Sequence, residues 1–155
     1  MKKVFYIITL VVLCLTSFQN MQAQTFKGKL TNIQMNNKHF NDVNDVTFTL
    51  TSIDGEAYKL RSSPIGPIGK MPGTINVDAS VLVDTLKQIS PDWTESVAGT
   101  LDLKIGGSLE IYMTNISGSK TDNSINFVLD TYSLKILGIE AMKASVTFNG
   151  TKVSN

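Results

Sequence analysis

The sequence contains little that could carry chemistry. Its 155 residues include one cysteine, Cys14, and one histidine, His39. Cys14 lies in an N-terminal apolar run that we expect to be removed, which would leave the exported chain without a thiol. The absence of cysteine excludes a disulfide framework, a thiolate zinc site and a cysteine nucleophile. A single histidine also excludes a multi-histidine metal site built from one chain.

An excess of charge of one sign is missing as well. The chain has 14 Lys and Arg against 13 Asp and Glu, a formal net charge of +1, and loss of Lys2 and Lys3 would change it to −1. A nearly neutral chain lacks the basic surface that tracks nucleic-acid phosphates, so we expect no nucleic-acid partner. The length predicts a single domain.

Residues 1–23 are typical of a secretory signal peptide. Two lysines precede an apolar run, residues 4–15, that is too short to span a bilayer comfortably, and Ala23 provides a small residue before the cut. An uncleaved anchor is the less favoured alternative. The residue before Cys14 is Leu13 rather than a small residue, so we do not expect a lipoprotein. We expect a cleaved protein that reaches the periplasm or is secreted.

The dominant periodicity of residues 24–155 is two, which predicts β-strands. No stretch in this part of the chain is apolar enough to predict a transmembrane segment. Apolar and polar residues alternate in six runs, at residues 46–51, 57–61, 100–105, 109–114, 125–130 and 142–148. Two more strands are expected at residues 26–33 and 74–79, and residues 132–137 either extend the strand from Ile125 or form another. Asp54-Gly55 and Gly106-Gly107 are suited to tight turns.

About eight strands joined mostly by short turns predict an all-β fold, an antiparallel up-and-down β-barrel. The polar faces of the strands carry Asp, Lys and Thr, which favours a barrel in water over one in lipid. Residues 117–123 are expected to form a polar loop. Residues 80–90 are ambiguous: three apolar residues at helical spacing precede Pro91 and predict one short helix, whereas Val81 and Val83 suit a strand.

The apolar strand faces also predict the interior of the barrel. The interior candidates are Phe48, Leu50, Leu103, Ile111, Met113, Phe127, Leu129, Val146 and Phe148. An eight-stranded barrel either fills with side chains or holds one small ligand. Most of these side chains are large, so the sequence is compatible with a filled core as well as with a ligand cavity.

Residues 64–73 contain three of the four prolines and cannot form a central strand. The segment carries Ile65, Ile68 and Met71. These side chains would form an apolar mouth over a barrel cavity or a surface for a partner, or they would tuck under the end of the barrel. We favour the last arrangement.

No residue pattern identifies a catalytic or metal site. His39 lies in a polar, turn-like run, and the chain has no nucleophile elbow. Asp42, Asn44 and Asp45 do not match the spacing of an EF-hand calcium loop, and no pair of carboxylates stands out for glycoside hydrolysis. We predict that the protein is not an enzyme and uses no cofactor or metal.

The layout resembles a known family. The segments that carry the resemblance are TFKGKL at 25–30, VTFTL at 46–50 with Asp54-Gly55, MPGTINV at 71–77, GTLDL at 99–103 and ASVTFNG at 144–150. Together they resemble the calycin-like β-barrel domain of small exported proteins from Gram-negative gut bacteria. The resemblance covers nearly the whole exported chain and implies a lipocalin-like barrel with no established activity. The Gly-x-Trp signature of lipocalins is absent, because Trp93 follows Pro91 and Asp92.

The sequence thus predicts an exported, non-enzymatic β-barrel that binds a small hydrophobic or amphipathic ligand. The alternative is a structural or protein-interaction module of the cell envelope, with a packed core and no ligand. Whether the barrel is hollow decides between them.

Overall fold

The computed structural model describes residues 22–71, 73–136 and 139–153. The regular secondary structure in these ranges consists of β-strands alone, which confirms the prediction of an all-β fold. The strands are β1 (Ala23–Met35), β2 (Lys38–His39), β3 (Val43–Asp54), β4 (Ala57–Ser62), β5 (Gly73–Val83), β6 (Gln88–Pro91), β7 (Val97–Leu103), β8 (Ser108–Lys120), β9 (Ser124–Tyr132), β10 (Leu134–Ile136), β11 (Ile139–Ala141) and β12 (Ala144–Lys152). The predicted signal peptide lies outside the described residues except for its end, where Ala23 opens β1.

The strands close into an antiparallel barrel. Following the hydrogen bonds from β1, the order is β3, β4, β5, then β6 and β7, then β8, β9 and β12, which pairs with β1 again. β6 and β7 occupy one position end to end, because β6 pairs with one end of β5 and β7 with the other. The ring therefore has eight strand positions, as predicted, and its closure removes exposed sheet edges. β2 and the β10–β11 hairpin lie outside the ring.

The period-two pattern explains the inner face. In β3, Val46, Phe48 and Leu50 are buried, and the threonines between them are only partly covered. Side chains in a strand point alternately to opposite faces, so an apolar residue at every second position lines the interior. The same alternation buries Phe127 and Leu129 in β9.

Of the two alternatives open for residues 80–90, the strand is confirmed and the short helix is wrong. β5 continues to Val83, the chain turns over residues 84–87, and β6 begins at Gln88. The Asp84 side chain accepts a hydrogen bond from the backbone N–H of Gln88 at 2.8 Å and holds this turn. Leu86 is 77% exposed, so it shares no buried face with its apolar neighbours. The two β-branched valines favour a strand here, and the pairing of Val81 with Tyr58 of β4 holds it in place.

The polar loop predicted at residues 117–123 is also wrong over most of its length. β8 runs to Lys120, and only residues 121–123 form the turn. A bulge after Met113 shifts the alternation, so that Ile116 faces inward. Gly118 lies opposite Phe127, where a side chain on residue 118 would collide with the β9 backbone. The glycine therefore serves close packing of two strands rather than a loop.

The two ends of the barrel differ in construction. One, the turn end, carries three short connections at residues 55–56, 84–87 and 121–123. The other, the loop end, carries the turn at 104–107, the longer segment 63–71 and the β10–β11 hairpin. Binding residues in barrels lie most often on the long connections, so we expect a binding site at the loop end.

Candidate functional site

The middle of the barrel is filled with aromatic rings. The centroids of Phe48 and Phe127 lie 5.1 Å apart with the rings nearly perpendicular, and Phe148 lies 4.6 Å from Phe48 and 5.4 Å from Phe127. Each of these side chains is at most 1% exposed. Such edge-to-face and tilted contacts are favourable packing geometries. Three of the predicted interior residues are thus core side chains in contact with one another.

The other predicted interior residues also lie on the inner wall. Leu50, Ile111, Met113 and Leu129 are buried, whereas Leu103 and Val146 are only partly buried. Ile111 is the member of the predicted set that also lines a cavity, described next. The interior prediction therefore identified the core of the barrel more than its hollow part.

A cavity of about 80 Å³ lies at the loop end, above the aromatic rings. Its lining is formed by Met35, Asn36, Met71, Ile75, Leu101, Ile111, Thr131, Ser133, Met142, Lys143 and Ala144. Three of the four methionines outside residues 1–23 are in this lining, and the fourth, Met113, is buried in the core. Methionine is flexible and polarizable, so it adapts to apolar ligands of different shape.

Residues 64–71 cover one side of the loop end. Ile65 and Ile75 exchange two backbone hydrogen bonds of 2.8 Å, which attach the segment to β5. Ile65 and Ile68 are only 4% and 3% exposed, so they tuck into the core rather than form a free apolar surface. Met71 is partly buried and reaches the cavity. The segment is therefore part of the wall, with Met71 at the cavity.

Met35 and Met142 were not predicted as site residues. Both lie where the chain leaves the regular strand conformation: Asn36 and Asn37 follow Met35 with positive φ, and Met142 itself has a φ of 51°. The alternating pattern placed Met142 in the last strand, which begins only at Ala144. For Met35 the adjacent asparagines were the available signal, since asparagine tolerates positive φ, whereas no such signal accompanies Met142.

Polar groups form one side of the cavity rim. The backbone N–H of Lys143 donates to Asn36 Oδ1, and the backbone N–H of Asn36 donates to the Lys143 carbonyl, both at 2.9 Å. The hydroxyl of the buried Ser133 donates to the Glu110 carbonyl at 3.2 Å. The rim is therefore tied together by backbone and side-chain hydrogen bonds.

A second groove of about 310 Å³, lined mainly by polar residues, lies beside this rim, over the outer face of β1, β12, β9 and β8. Its lining is Gln34, Asn36, Asn37, Thr114, Asp130, Thr131, Lys143, Ala144 and Ser145. Asn36, Thr131, Lys143 and Ala144 line the apolar cavity as well. The two spaces are therefore neighbours across one stretch of the rim.

Candidate catalytic and metal-binding residues from the sequence are scattered. His39 is exposed in β2 and pairs with Gln34 of β1. Asp42 and Asp45 form exposed ion pairs with Lys29 at 3.8 Å and Lys27 at 2.9 Å. Within the described ranges there is no group of three His, Cys, Asp or Glu side chains placed to hold a metal ion. No described helix is long and apolar enough to cross a membrane.

The strongest charge network lies on the outer wall, away from the cavity. The Lys59 ammonium donates to the carboxylate of Glu95 and, at 3.1 Å, to the hydroxyl of Ser80, which in turn donates to Glu95 at 2.7 Å. Asp78 Oδ1 lies 3.5 Å from Lys59 but without hydrogen-bond geometry. The hydrogen bond from Lys59, then that from Ser80, lowers the pKa of Glu95. The network joins β4, β5 and the residues before β7.

Lys120 faces inward at the turn end, opposite the buried Ile125, and is only 8% exposed. Burial lowers the pKa of its ammonium group, and the nearby Lys87 and Lys152 lower it further, while Asp122 acts in the opposite direction. A charged group thus caps the end of the barrel opposite the methionine-lined cavity.

The comparisons with known proteins found no relatives. No protein-family model matches the chain, and neither does any curated protein or solved structure. The resemblance to the calycin-like family therefore stays a prediction, and the barrel itself is what the structure establishes.

Proposed function

We propose that the protein is an exported, non-enzymatic β-barrel that binds a small hydrophobic or amphipathic ligand at its loop end. One observation carries the proposal: the barrel is packed with phenylalanine rings in its middle, yet keeps an apolar cavity lined by Met35, Met71 and Met142. Apolar cavities with a few polar groups at the rim are the usual form of small-ligand sites. Export rests on the signal-like composition of residues 1–23.

The size of the cavity limits the ligand. Its volume of about 80 Å³ is smaller than an apolar cavity of about 150 Å³ that takes up benzene. The ligand therefore enters as a short apolar group, or as the end of a longer molecule whose remainder stays outside. Rearrangement of the flexible methionines would enlarge the space. Each additional buried methylene should strengthen binding by about 0.8 kcal/mol until the cavity is full.

The proposal is tested with ¹³C-methyl methionine NMR and straight-chain alcohols of increasing length. We expect the methyl signals of Met35, Met71 and Met142 to shift in a saturable way. Affinity should rise about fourfold per methylene and then level off, following the increment of about 0.8 kcal/mol. Absence of any saturable shift at these three methyl groups for every alcohol would refute the proposal.

A matched pair of variants checks the location. Ala144→Leu places extra volume in the cavity lining and should abolish alcohol binding. Ile105→Ala, at a residue that is 95% exposed, should leave binding unchanged. Far-UV circular dichroism of both variants establishes that the barrel is intact.

The interaction-module alternative is favoured by a different observation. Ile105 is 95% exposed at the loop end, where Leu134 and Met142 are each 36% exposed. Ile53, Leu86 and Val153 at the turn end are exposed as well, but Ile105 is the most exposed large apolar side chain of the described residues, and exposed apolar side chains are typical of a partner-binding surface. The test replaces Ile105 with a photo-crosslinking benzoylphenylalanine in cells and uses Leu86, 77% exposed at the turn end, as the control. One defined crosslinked partner from position 105 alone supports this function, and identical patterns from both positions refute it.

A further inference from the structure

We infer that the ligand is an amphiphile whose polar part is an uncharged, hydroxyl-bearing group of the sugar or polyol class, bound in the groove outside the rim. This inference rests on the proposed function, since the apolar part of the same molecule occupies the methionine-lined cavity. It adds a second binding subsite with its own chemistry.

The groove and the cavity are adjacent at the rim. The groove of about 310 Å³ and the cavity of about 80 Å³ share Asn36, Thr131, Lys143 and Ala144 in their linings. A molecule whose apolar end occupies the cavity would reach the groove by crossing the rim at these residues. The cavity is too small for a whole amphiphile, whereas the groove falls within the usual volume range of a small-molecule site.

The side chains that line the groove suit a ligand with several hydroxyl groups. Strand pairing places Gln34, Ser145 and Asp130 side by side, since Ser145 pairs with Gln34 on one side and with Asp130 on the other. Hydroxyl and amide groups both donate and accept, and a carboxylate accepts from two or more hydroxyls. This mixture suits a ligand group that has several hydroxyls, each of which is both donor and acceptor.

The lining favours neither sign of charge in a ligand. Asp130 repels a carboxylate or phosphate head, Lys143 repels an ammonium head, and the described lining residues include no aromatic ring to bind a quaternary ammonium head. The one acidic and one basic side chain, Asp130 and Lys143, leave the groove without a net formal charge. An uncharged polar head is therefore the best match.

The groove is also prearranged. Asn36 and Asn37 hold positive φ angles of 48° and 63° at the tight turn after β1. The reciprocal 2.9 Å hydrogen bonds between Asn36 and Lys143 fix this turn against the start of β12. Groups that are already in place lose less conformational entropy when a ligand binds.

The experiment compares ligands that share one alkyl chain. Hexanol, hexanoate, hexyl β-glucoside and free glucose are titrated below any micelle-forming concentration, with binding followed by methionine-methyl NMR and calorimetry. We expect hexyl glucoside to bind at least tenfold more tightly than hexanol, and glucose alone to bind far more weakly. The side-chain amide signals of Gln34, Asn36 and Asn37 should shift with the glucoside and stay in place with hexanol.

Two variants complete the test. Asp130→Ala should reduce glucoside affinity about tenfold, to the level of hexanol, and leave hexanol binding unchanged. The control Asp102→Ala removes a carboxylate of the outer wall that bonds Asn76 at 2.6 Å and lies outside the groove, and it should change neither affinity. The amide shifts of the unmodified protein keep the inference testable if Asp130→Ala does not fold.

The outcomes separate the two proposals. Equal affinities for hexanol and hexyl glucoside overturn the polar subsite and leave the apolar cavity site standing. Tighter binding of hexanoate than of the glucoside would show that the polar head is not uncharged. Binding of free glucose as tight as that of the glucoside would show that the ligand need not be an amphiphile. If no ligand with an alkyl chain binds, both the inference and the proposed function fail.

Discussion

Replacement of Phe127 by alanine tests whether the middle of the barrel is packed core or latent ligand space. The ring is fully buried and lies 5.1 Å from Phe48 and 5.4 Å from Phe148. We expect Phe127→Ala to lower the free energy of unfolding by about 3–5 kcal/mol, the usual cost of deleting a buried aromatic side chain. About 0.5–1.5 kcal/mol of that comes from each specific ring contact. A loss of this size is a large part of the total stability of a domain, about 5–15 kcal/mol.

The assay is urea denaturation followed by far-UV circular dichroism, because Trp93 is 62% exposed and reports poorly on the core. Ile105→Ala, at a 95% exposed position, is the control and should change stability by less than about 0.5 kcal/mol. Phe127→Leu should fall between the two. Since Phe127 is not part of the cavity lining, a folded Phe127→Ala protein should still bind hexanol at the loop end. A stability loss below about 1 kcal/mol, or loss of hexanol binding by the folded variant, would refute this division between core and site.

Three further predictions concern closure of the barrel and its charged groups. Gly28→Ala should lower the free energy of unfolding by about 1–3 kcal/mol, because the added methyl group collides with the backbone of Asn149 where β1 meets β12. The urea midpoint should fall accordingly, and an unchanged midpoint would contradict that contact. The pKa of Glu95 is lowered in the folded state, so its carboxylate stabilises the fold at pH values above its pKa in the unfolded chain, near 4.5. That contribution is lost as the pH falls through the folded pKa. The free energy of unfolding should therefore fall more between pH 6 and pH 3 for the unmodified protein than for Glu95→Gln. The excess should be less than about 0.5 kcal/mol, because the ion pair with Lys59 is screened by solvent. An equal fall in both proteins would show that the pair contributes nothing. The pKa of Lys120 is also lowered in the folded state, so its charge destabilises the fold below that pKa, and this destabilisation disappears as the pH rises toward 10.5. Lys120→Met should therefore be more stable than the unmodified protein at pH 7, and thermal melts should show the difference in stability closing at pH 10 and above. A difference in stability that stays constant with pH would argue against burial as the cause.

Much of the barrel was predictable from short-range pattern. The alternation of Val46, Phe48 and Leu50 with threonines, and the turn at Asp54-Gly55, predicted the middle of β3, nearly all of β4 and the hairpin that joins them. Gly106 and Gly107 likewise form a turn, with φ angles of 96° and 81°. These features depend on neighbours a few residues away, because strand side chains alternate and tight turns need special backbone angles.

The errors arose where local and long-range preferences disagree. Gly118 suggested a loop, yet it is a strand residue that lets β8 approach Phe127. Leu86 suggested the face of a helix, yet it is exposed at a tight turn. A partner strand that is distant in sequence decides both cases, and a pattern read along one segment does not contain it.

By itself the sequence determined that the protein is an all-β barrel held by an apolar inner face, with nothing that marks a catalytic or metal site. Only the tertiary structure decided where the barrel is full and where it is hollow. The phenylalanines meet in the middle and the methionines gather at the loop end because strands far apart in the chain bring them to the same level. Cavity volume depends on how side chains from many strands fill one cross-section, and that filling is a property of the closed barrel rather than of any single strand.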